Sequence, residues 1–91
     1  MLRLLVRLEG FLAAQFWIEK EVQVPKGITW KDAILMLLEI LRLGPYKEGL
    51  ENNLSSLREL AIFVLNGKEA PLDTTLGEGD IISVFSPLSG G

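Results

Sequence analysis

The segment TWKDAILMLLEILRLGP, residues 29–45, decides the fold because it carries the clearest helical signal in the chain. Thr29 is suited to the N-cap, and Asp32 stands three residues later, as in an acidic variant of the capping box. Gly44 and Pro45 follow the last apolar turn and are typical of a helix end. One face of this helix is apolar and is predicted to enter the core, through Ile34, Leu37, Leu38 and Leu41.

Two strands are predicted before this helix. Residues 2–9 alternate between apolar and charged side chains, with Leu5 as the one misfit. Residues 16–24 alternate in the same way after a turn in EGFLAA, residues 9–14, although Lys20 falls on the inward side. The side chains predicted to face inward are Leu2, Leu4, Val6, Leu8, Phe16, Ile18, Val22 and Val24.

The chain after the helix is predicted to return to strands. Residues 45–60 are expected to fold back over a second apolar flank of the helix, which Met36, Ile40 and Leu43 form. Residues 61–65, AIFVL, read as a strand that is central or covered on both faces. The turn at 66–67, a stub strand at 68–70 and a last strand at 81–85 complete the order. The helix is predicted to pack on Leu4, Val6, Phe63 or Val64.

Composition excludes several classes of function. The chain has 91 residues, about half of them hydrophobic, which suits a single domain spanning residues 1–91. It contains no cysteine and no histidine, so disulfides, thiolate metal sites and the commonest general base are excluded. The net charge is −3 with scattered lysines and arginines, so we expect no nucleic-acid or membrane partner. Arg7 and Glu9 interrupt the apolar start, which argues against a signal peptide and favours a cytosolic protein.

Three local motifs are typical of ordinary structure rather than of ligand binding. Gly77 and Gly79 lack the third glycine and the strand–helix context of a dinucleotide fingerprint. Trp17 and Trp30 lack the basic groove that accompanies a base-stacking platform, so we expect local packing. Three acidic residues near Gly77 and Gly79 lack the alternating oxygen ligands of a calcium-binding loop, and we attribute them to turns: Asp73, Glu78 and Asp80.

The segment FSPLSGG, residues 85–91, differs from the rest of the chain. Pro87 has no backbone donor, so the sheet ladder should end near Ser86 and the chain should leave it extended. Gly90 and Gly91 have no side chains, so residues 86–91 are expected to form a flexible tail, thin enough for a narrow tunnel and ending in a carboxylate. The tail is either a reactive end or an inert one.

Four stretches together resemble the MoaD/ThiS family of ubiquitin-like sulfur carrier proteins. They are VQVPKGITWKDAI at 22–34, LNGKE at 65–69, LGEGDIISVF at 76–85 and the closing FSPLSGG. The resemblance spans most of the chain, and only residues 45–60 are unmatched in detail. It implies an α+β architecture, the β-grasp, in which a mixed sheet of four to five strands packs on one main helix.

The resemblance also implies chemistry at the end of the main chain. A partner activating enzyme would use ATP and magnesium to adenylate the carboxylate of Gly91, and a sulfur-donating protein would then supply the sulfur of a thiocarboxylate. The chain itself would be a carrier rather than an enzyme, and would bind no cofactor or metal. The resemblance places the reaction at Gly91 and Gly90, and places partner binding along the rest of the tail, at Phe85, Ser86, Pro87, Leu88 and Ser89.

Within the family, the ending is most similar to that of the small subunit of molybdopterin synthase. That subunit usually ends in FPP, small residues and Gly-Gly, whereas Ser86 here replaces the first proline. The large catalytic subunit would then be a further partner. The alternatives are a thiamine-pathway sulfur carrier, a ubiquitin-like modifier attached to lysines, and a β-grasp interaction module with an inert tail.

Overall fold

The computed structural model describes residues 1–41 and 61–85, which form four strands and two helices. The elements, in chain order, are β1 (Leu2–Glu9), α1 (Phe11–Gln15), β2 (Glu19–Val24), α2 (Trp30–Ile40), β3 (Ile62–Leu65) and β4 (Ile81–Phe85). The strands lie in the order β2-β1-β4-β3. The central pair β1 and β4 is parallel, and the two outer pairings are antiparallel. The predicted mixed sheet with one main helix is confirmed.

Helix α2 begins as the sequence predicts. The Thr29 hydroxyl accepts a hydrogen bond from the backbone N–H of Asp32 at 3.3 Å, which is the N-cap contact. The two N–H groups before it are bound by the loop that precedes β4: Trp30 donates to the Thr74 carbonyl at 2.7 Å, and Lys31 to the Leu72 carbonyl at 2.9 Å. The start of α2 therefore has its backbone donors satisfied by the protein itself.

The core lies between α2 and one face of the sheet, called here the inner face. The predicted helix stripe is buried, and it belongs to the same cluster as the inner residues of all four strands. Val64 does not belong to that cluster, because side chains alternate along β3 and Val64 points to the opposite, outer face. The main members of the cluster are Leu4, Val6, Leu8, Val24, Ile34, Leu37, Leu38, Leu41, Phe63, Leu65, Ile82 and Val84.

The segment between β1 and β2 departs from the prediction. The sequence predicts a turn and then a strand from residue 16, whereas the chain forms the short helix α1 and β2 starts only at Glu19. Leu12 of α1 is buried in the core, so this helix closes one end of the inner face. Ile18, predicted to face inward, is 73% exposed because it precedes the strand at the sheet edge.

Two further predictions about the strands need correction. β3 was predicted to be central or covered on both faces, but it lies at one end of the described strand order, and its outer residues Ile62 and Val64 are half-buried. The predicted stub strand at 68–70 reduces to a single bridge between Leu65 and Lys68 across the Asn66-Gly67 turn. Both turn residues have positive φ, 52° and 80°, as a tight hairpin turn requires. Helix α2 ends at Ile40 with Leu41 as its C-cap, so the predicted helix end at Gly44-Pro45 is wrong. Residues 44 and 45 themselves and the predicted fold-back of residues 45–60 lie outside the described residues.

Candidate functional site

The predicted site begins at the carboxyl end of β4. Phe85 is the last residue of that strand, and it pairs with Glu9 of β1 on one side and with Ile62 of β3 on the other. The predicted tail residues Ser86, Pro87, Leu88, Ser89, Gly90 and Gly91 lie outside the described residues. The structure therefore locates the root of the tail, at the end of an interior strand held by neighbours on both sides.

At the end of the sheet that carries Phe85, other strand ends, helix α1 and the exposed Ile18 come together. Since β1 and β4 are parallel and the outer strands antiparallel, the end of β1 and the starts of β2 and β3 meet there. Helix α1 follows β1 directly and lies against β1 and β4 at this end. Ile18 is exposed at the same end, where its carbonyl accepts the backbone N–H of Leu8 at 2.8 Å.

The outer face of the sheet carries several apolar side chains along β4 and its neighbours, interrupted at Ser83, whose cross-strand partners are Arg7 and Val64. Leu5 is the cross-strand partner of Ile81, and Ile62 is the partner of Phe85, so these side chains share a face. All are half-buried, and the core and α2 lie on the other face. We call this surface the outer-face patch, and its members are Leu5, Ile62, Val64, Ile81 and Phe85. It places an apolar surface next to the root of the tail.

The sequence prediction of the site included Phe85 but missed the other members of this patch. The signal was present: Leu5 breaks the alternation of β1, and the β3 and β4 segments are almost continuously apolar. Such runs arise when both faces of a strand contact apolar material. Here the inner face meets α2, and the outer face is left half-exposed.

Charged residues border the patch along β1 and β2. The Arg7 Nε atom lies 3.5 Å from the Glu19 Oε1 atom on the neighbouring strand, and the two side chains are 59% and 50% exposed. A pair in such an environment contributes little to stability, about 0–1 kcal/mol. Glu9 is exposed beside Phe85, so the surroundings of the tail root are mixed in charge.

At the opposite end, the acidic residues are used to fix the start of β4. Asp80 accepts the backbone N–H of Gly77 at 2.7 Å and the side-chain amide of Asn66 at 3.1 Å. Glu78 accepts hydrogen bonds from the backbone N–H and the guanidinium of Arg3, which lower its pKa below the ordinary value of 4.5. Asp80 therefore has the turn role that the sequence predicts, whereas Glu78 ties the loop to β1. Residues 1–41 and 61–85 contain no group of three or more side chains that could hold a metal ion.

The two tryptophans do not form a common platform. Trp30 is buried in the core at the start of α2, as expected for local packing. Trp17 is half-buried, and the Lys20 ammonium lies 5.9 Å from its ring centroid, within cation–π range. No helix in the described part of the chain is long and apolar enough to cross a membrane.

The fold is similar to that of solved small archaeal proteins. SAMP1 from Haloferax volcanii superposes with a TM-score of 0.64 at 21% identity, covering 98% of this chain and 99% of that one. A second structure of H. volcanii small archaeal modifier protein 1 gives a TM-score of 0.63 at 21% identity, covering 97% of this chain and all of the other. A putative molybdopterin converting factor, subunit 1, from Pyrococcus furiosus gives 0.63 at 19% identity, with 97% and 100% coverage. These likenesses establish the β-grasp fold.

The sequence itself matches the ThiS family model over residues 11–91, a range that begins after β1 and includes the predicted tail. The matched range takes in α1, β2, the capped helix α2, β3, the Asn66-Gly67 turn and β4, so it covers every described element except β1 and includes the root of the tail. The chain therefore belongs to the ThiS family of small ubiquitin-like β-grasp proteins.

Proposed function

We propose that this chain is a sulfur carrier whose Gly91 carboxylate is activated and converted to a thiocarboxylate, and that it serves as the small subunit of molybdopterin synthase. The observation that carries the proposal is the family match, which extends through the Gly-Gly segment at residue 91. The ending Phe85, Pro87, Gly90 and Gly91 supports the molybdopterin branch, and so does the longer segment before β3.

The chemistry needs only the main-chain carboxylate from this chain. A carboxylate oxygen attacks the α-phosphorus of ATP, and pyrophosphate leaves as the acyl adenylate forms. Hydrosulfide or an equivalent sulfur donor then attacks the acyl carbon, and AMP leaves with the original oxygen. An activated carboxyl group lowers the barrier to this substitution, as in covalent catalysis generally. The sulfur of the resulting thiocarboxylate then bonds to the acceptor, and water attacks the acyl carbon, so the C–S bond breaks, the sulfur stays on the acceptor and the chain is released as the carboxylate.

Glycine at the last two positions suits this chemistry for a steric reason. A channel narrow enough to exclude water closes around the backbone, and a Cβ at residue 90 or 91 would meet its wall. Removing Gly91 would withdraw the carboxylate by about 3.5 Å from a nucleotide held in a fixed site. Both changes act on reach and access, and neither touches the described core.

The outer-face patch supports the presence of a large partner. Half-buried apolar side chains lie beside the root of the tail, so an enzyme that takes in the tail would also cover this patch. We propose the activating enzyme as its occupant during adenylation and the large synthase subunit during sulfur transfer, because the tail must enter both active sites.

The branch of the family is tested in three parallel arms, the first two with the thiocarboxylated chain. The expected result is sulfur transfer to the molybdopterin precursor in the presence of the large synthase subunit. Transfer only in the thiazole-forming system would assign the chain to the thiamine pathway. In the third arm the unmodified chain is given the activating enzyme and ATP, so that a lysine amine can attack the acyl adenylate and release AMP. An isopeptide bond detected there by mass spectrometry would favour a modifier like the archaeal proteins of similar fold. A chain lacking Gly91 is the matched control and should be inactive in all three.

A further inference from the structure

One edge of the sheet exposes backbone hydrogen-bonding groups. Among the described strands, β2 pairs only with β1. The Leu8 N–H donates to the Ile18 carbonyl at 2.8 Å, and these two residues continue the register in which Lys20 pairs with Val6. Along an antiparallel ladder, residue pairs that exchange backbone hydrogen bonds alternate with pairs that do not. Since Leu8 and Ile18 form a hydrogen-bonded pair, the even-numbered residues of β2 bond to β1 and the odd-numbered residues do not. The N–H and C=O groups of Glu19, Glu21 and Gln23 therefore point away from the sheet.

The side chains along this edge differ between the two faces of the strand. Glu19 and Glu21 are exposed on the outer face and place two carboxylates two residues apart. Glu19 already pairs with Arg7 at 3.5 Å in an exposed contact, so Glu21 is the main carboxylate for a basic partner. On the inner-face side of the strand, Val22 is half-buried. Ile18, an even-numbered residue just before the strand, is 73% exposed. Lys20 is also exposed, but its ammonium is directed over the Trp17 ring at 5.9 Å. The edge thus offers backbone groups, an acidic row and apolar contacts.

A second copy of the chain is a poor occupant of this edge. Antiparallel self-pairing centred on Glu21 would place Glu21 opposite Glu21, and pairing centred on Lys20 would place Glu19 opposite Glu21 and Lys20 opposite Lys20. Like charges directly opposite each other in a sheet are destabilising. An exposed edge of this kind discourages pairing with itself and favours a strand of opposite charge.

We propose that the β2 edge binds an extended basic segment of a partner protein by strand addition. Lysines or arginines at alternate positions would face Glu19 and Glu21, and apolar residues between them would lie on the side of Val22 and Ile18. β1 lies between β2 and β4, so at the usual spacing this edge is about 10 Å from β4. Such a segment does not cover Phe85, and the proposal does not rest on the function of the tail.

The test uses fluorescein-labelled peptides of seven residues and the full chain. The first peptide alternates Lys and Val, the second alternates Glu and Val, and the third is the Lys–Val peptide with N-methyl groups on one edge of its backbone. We expect the Lys–Val peptide to bind at least about tenfold more tightly than either of the others, by fluorescence anisotropy. In hydrogen exchange, it should protect the amides of Glu19, Glu21 and Gln23. N-methylation retains the charge and removes the strand donors, so it separates strand addition from simple charge attraction.

Two variants with the same change in charge, one on the β2 edge and one away from it, test whether the peptide binds at this edge. Glu21→Lys should reverse the preference, so that the Glu–Val peptide binds more tightly, whereas Asp73→Lys, at an exposed turn position, should keep the original preference. Equal binding of the N-methylated and unmodified Lys–Val peptides would overturn the proposal. So would the absence of protection at the three amides, or identical effects of the two variants.

Discussion

Glu78 ties the loop before β4 to the start of β1. Its carboxylate accepts the Arg3 backbone N–H, and it also pairs with the Arg3 Nε atom at 3.2 Å. These contacts favour the charged form and hold the pKa of Glu78 below 4.5, the backbone hydrogen bond being the larger cause. The carboxylate is on the surface, so the contacts fix local geometry more than they stabilise the whole fold.

The lowered pKa gives a prediction for acid conditions. The unfolded state binds the proton at higher pH than the folded state, so this contribution to stability is complete above about pH 4.5 and is lost as pH falls through the folded pKa. An NMR titration should find the Glu78 midpoint below 4.5, and Glu78→Gln should reduce the pH dependence of unfolding in that window. A midpoint at or above 4.5 would contradict the contact with Arg3.

At the scale of elements, α2 anchors the core through one buried stripe. Leu37 and Leu38 are fully buried, whereas Ile40 on the other flank is 40% exposed. Loop carbonyls at Leu72 and Thr74 hold the start of the helix, so its stripe is fixed in rotation relative to the sheet. The helix therefore sets the inner face and leaves the outer face available.

Shortening a side chain in the buried stripe of α2 should show how much the stripe contributes to the free energy of unfolding. Leu38→Ala should lower the free energy of unfolding by about 2–5 kcal/mol, because it leaves a cavity beneath the sheet. Ile40→Ala is the matched control and should cost less than about 1 kcal/mol. Urea denaturation at a fixed pH measures both. Equal losses in the two variants would show that the stripe is not the core face.

Elements with long or strongly punctuated patterns could be predicted from sequence, and short ones could not. α2 has a capping residue at its start and β4 has turn residues before its apolar pattern, and β1 has regular alternation on both sides of Leu5. The apolar pattern of α2 continues to Leu43, beyond the actual end of the helix at Ile40, so the pattern does not locate that end. α1 has five residues, too few for a helical period, and burial of Leu12 decides its conformation. Alternation alone predicts that Ile18 faces inward, and this prediction is wrong because the strand begins only at Glu19.

One part of the candidate site, the tail motif, could be predicted from sequence, and the other part, the outer-face patch, could not. The Phe85 to Gly91 motif could be read from sequence, because it combines a proline, which has no backbone N–H to donate, with two glycines that carry no side chain. The outer-face patch depends on which strands are neighbours, and strand order is a tertiary property. Leu5 and Ile62 are 57 positions apart in the sequence numbering and share a face only because β4 lies between their strands. No local pattern contains that information.

At the scale of the whole molecule, one face of the sheet is used for stability and the other is available for a partner. Val64→Asp should test this division, since Val64 lies on the outer-face patch and outside the core cluster. We expect the melting temperature to change by only a few degrees and the rate of adenylation by the activating enzyme to fall about tenfold or more. Thr75→Asp adds the same charge at an exposed position away from the patch and should leave the rate unchanged. Equal rates for the two variants would remove the patch from the interface.

The central claim is that the reactive group is the carboxylate of Gly91, and the intact mass of the chain tests it most directly. The chain is incubated with an activating enzyme, ATP, magnesium and inorganic sulfide, and its mass is measured before and after. Exchange of one oxygen for sulfur should add about 16 Da, and fragmentation should place that gain on the last residue. A chain lacking Gly91 should show no gain while its melting temperature stays nearly the same. A gain located on any other residue, or an equal gain in the chain lacking Gly91, would contradict the account.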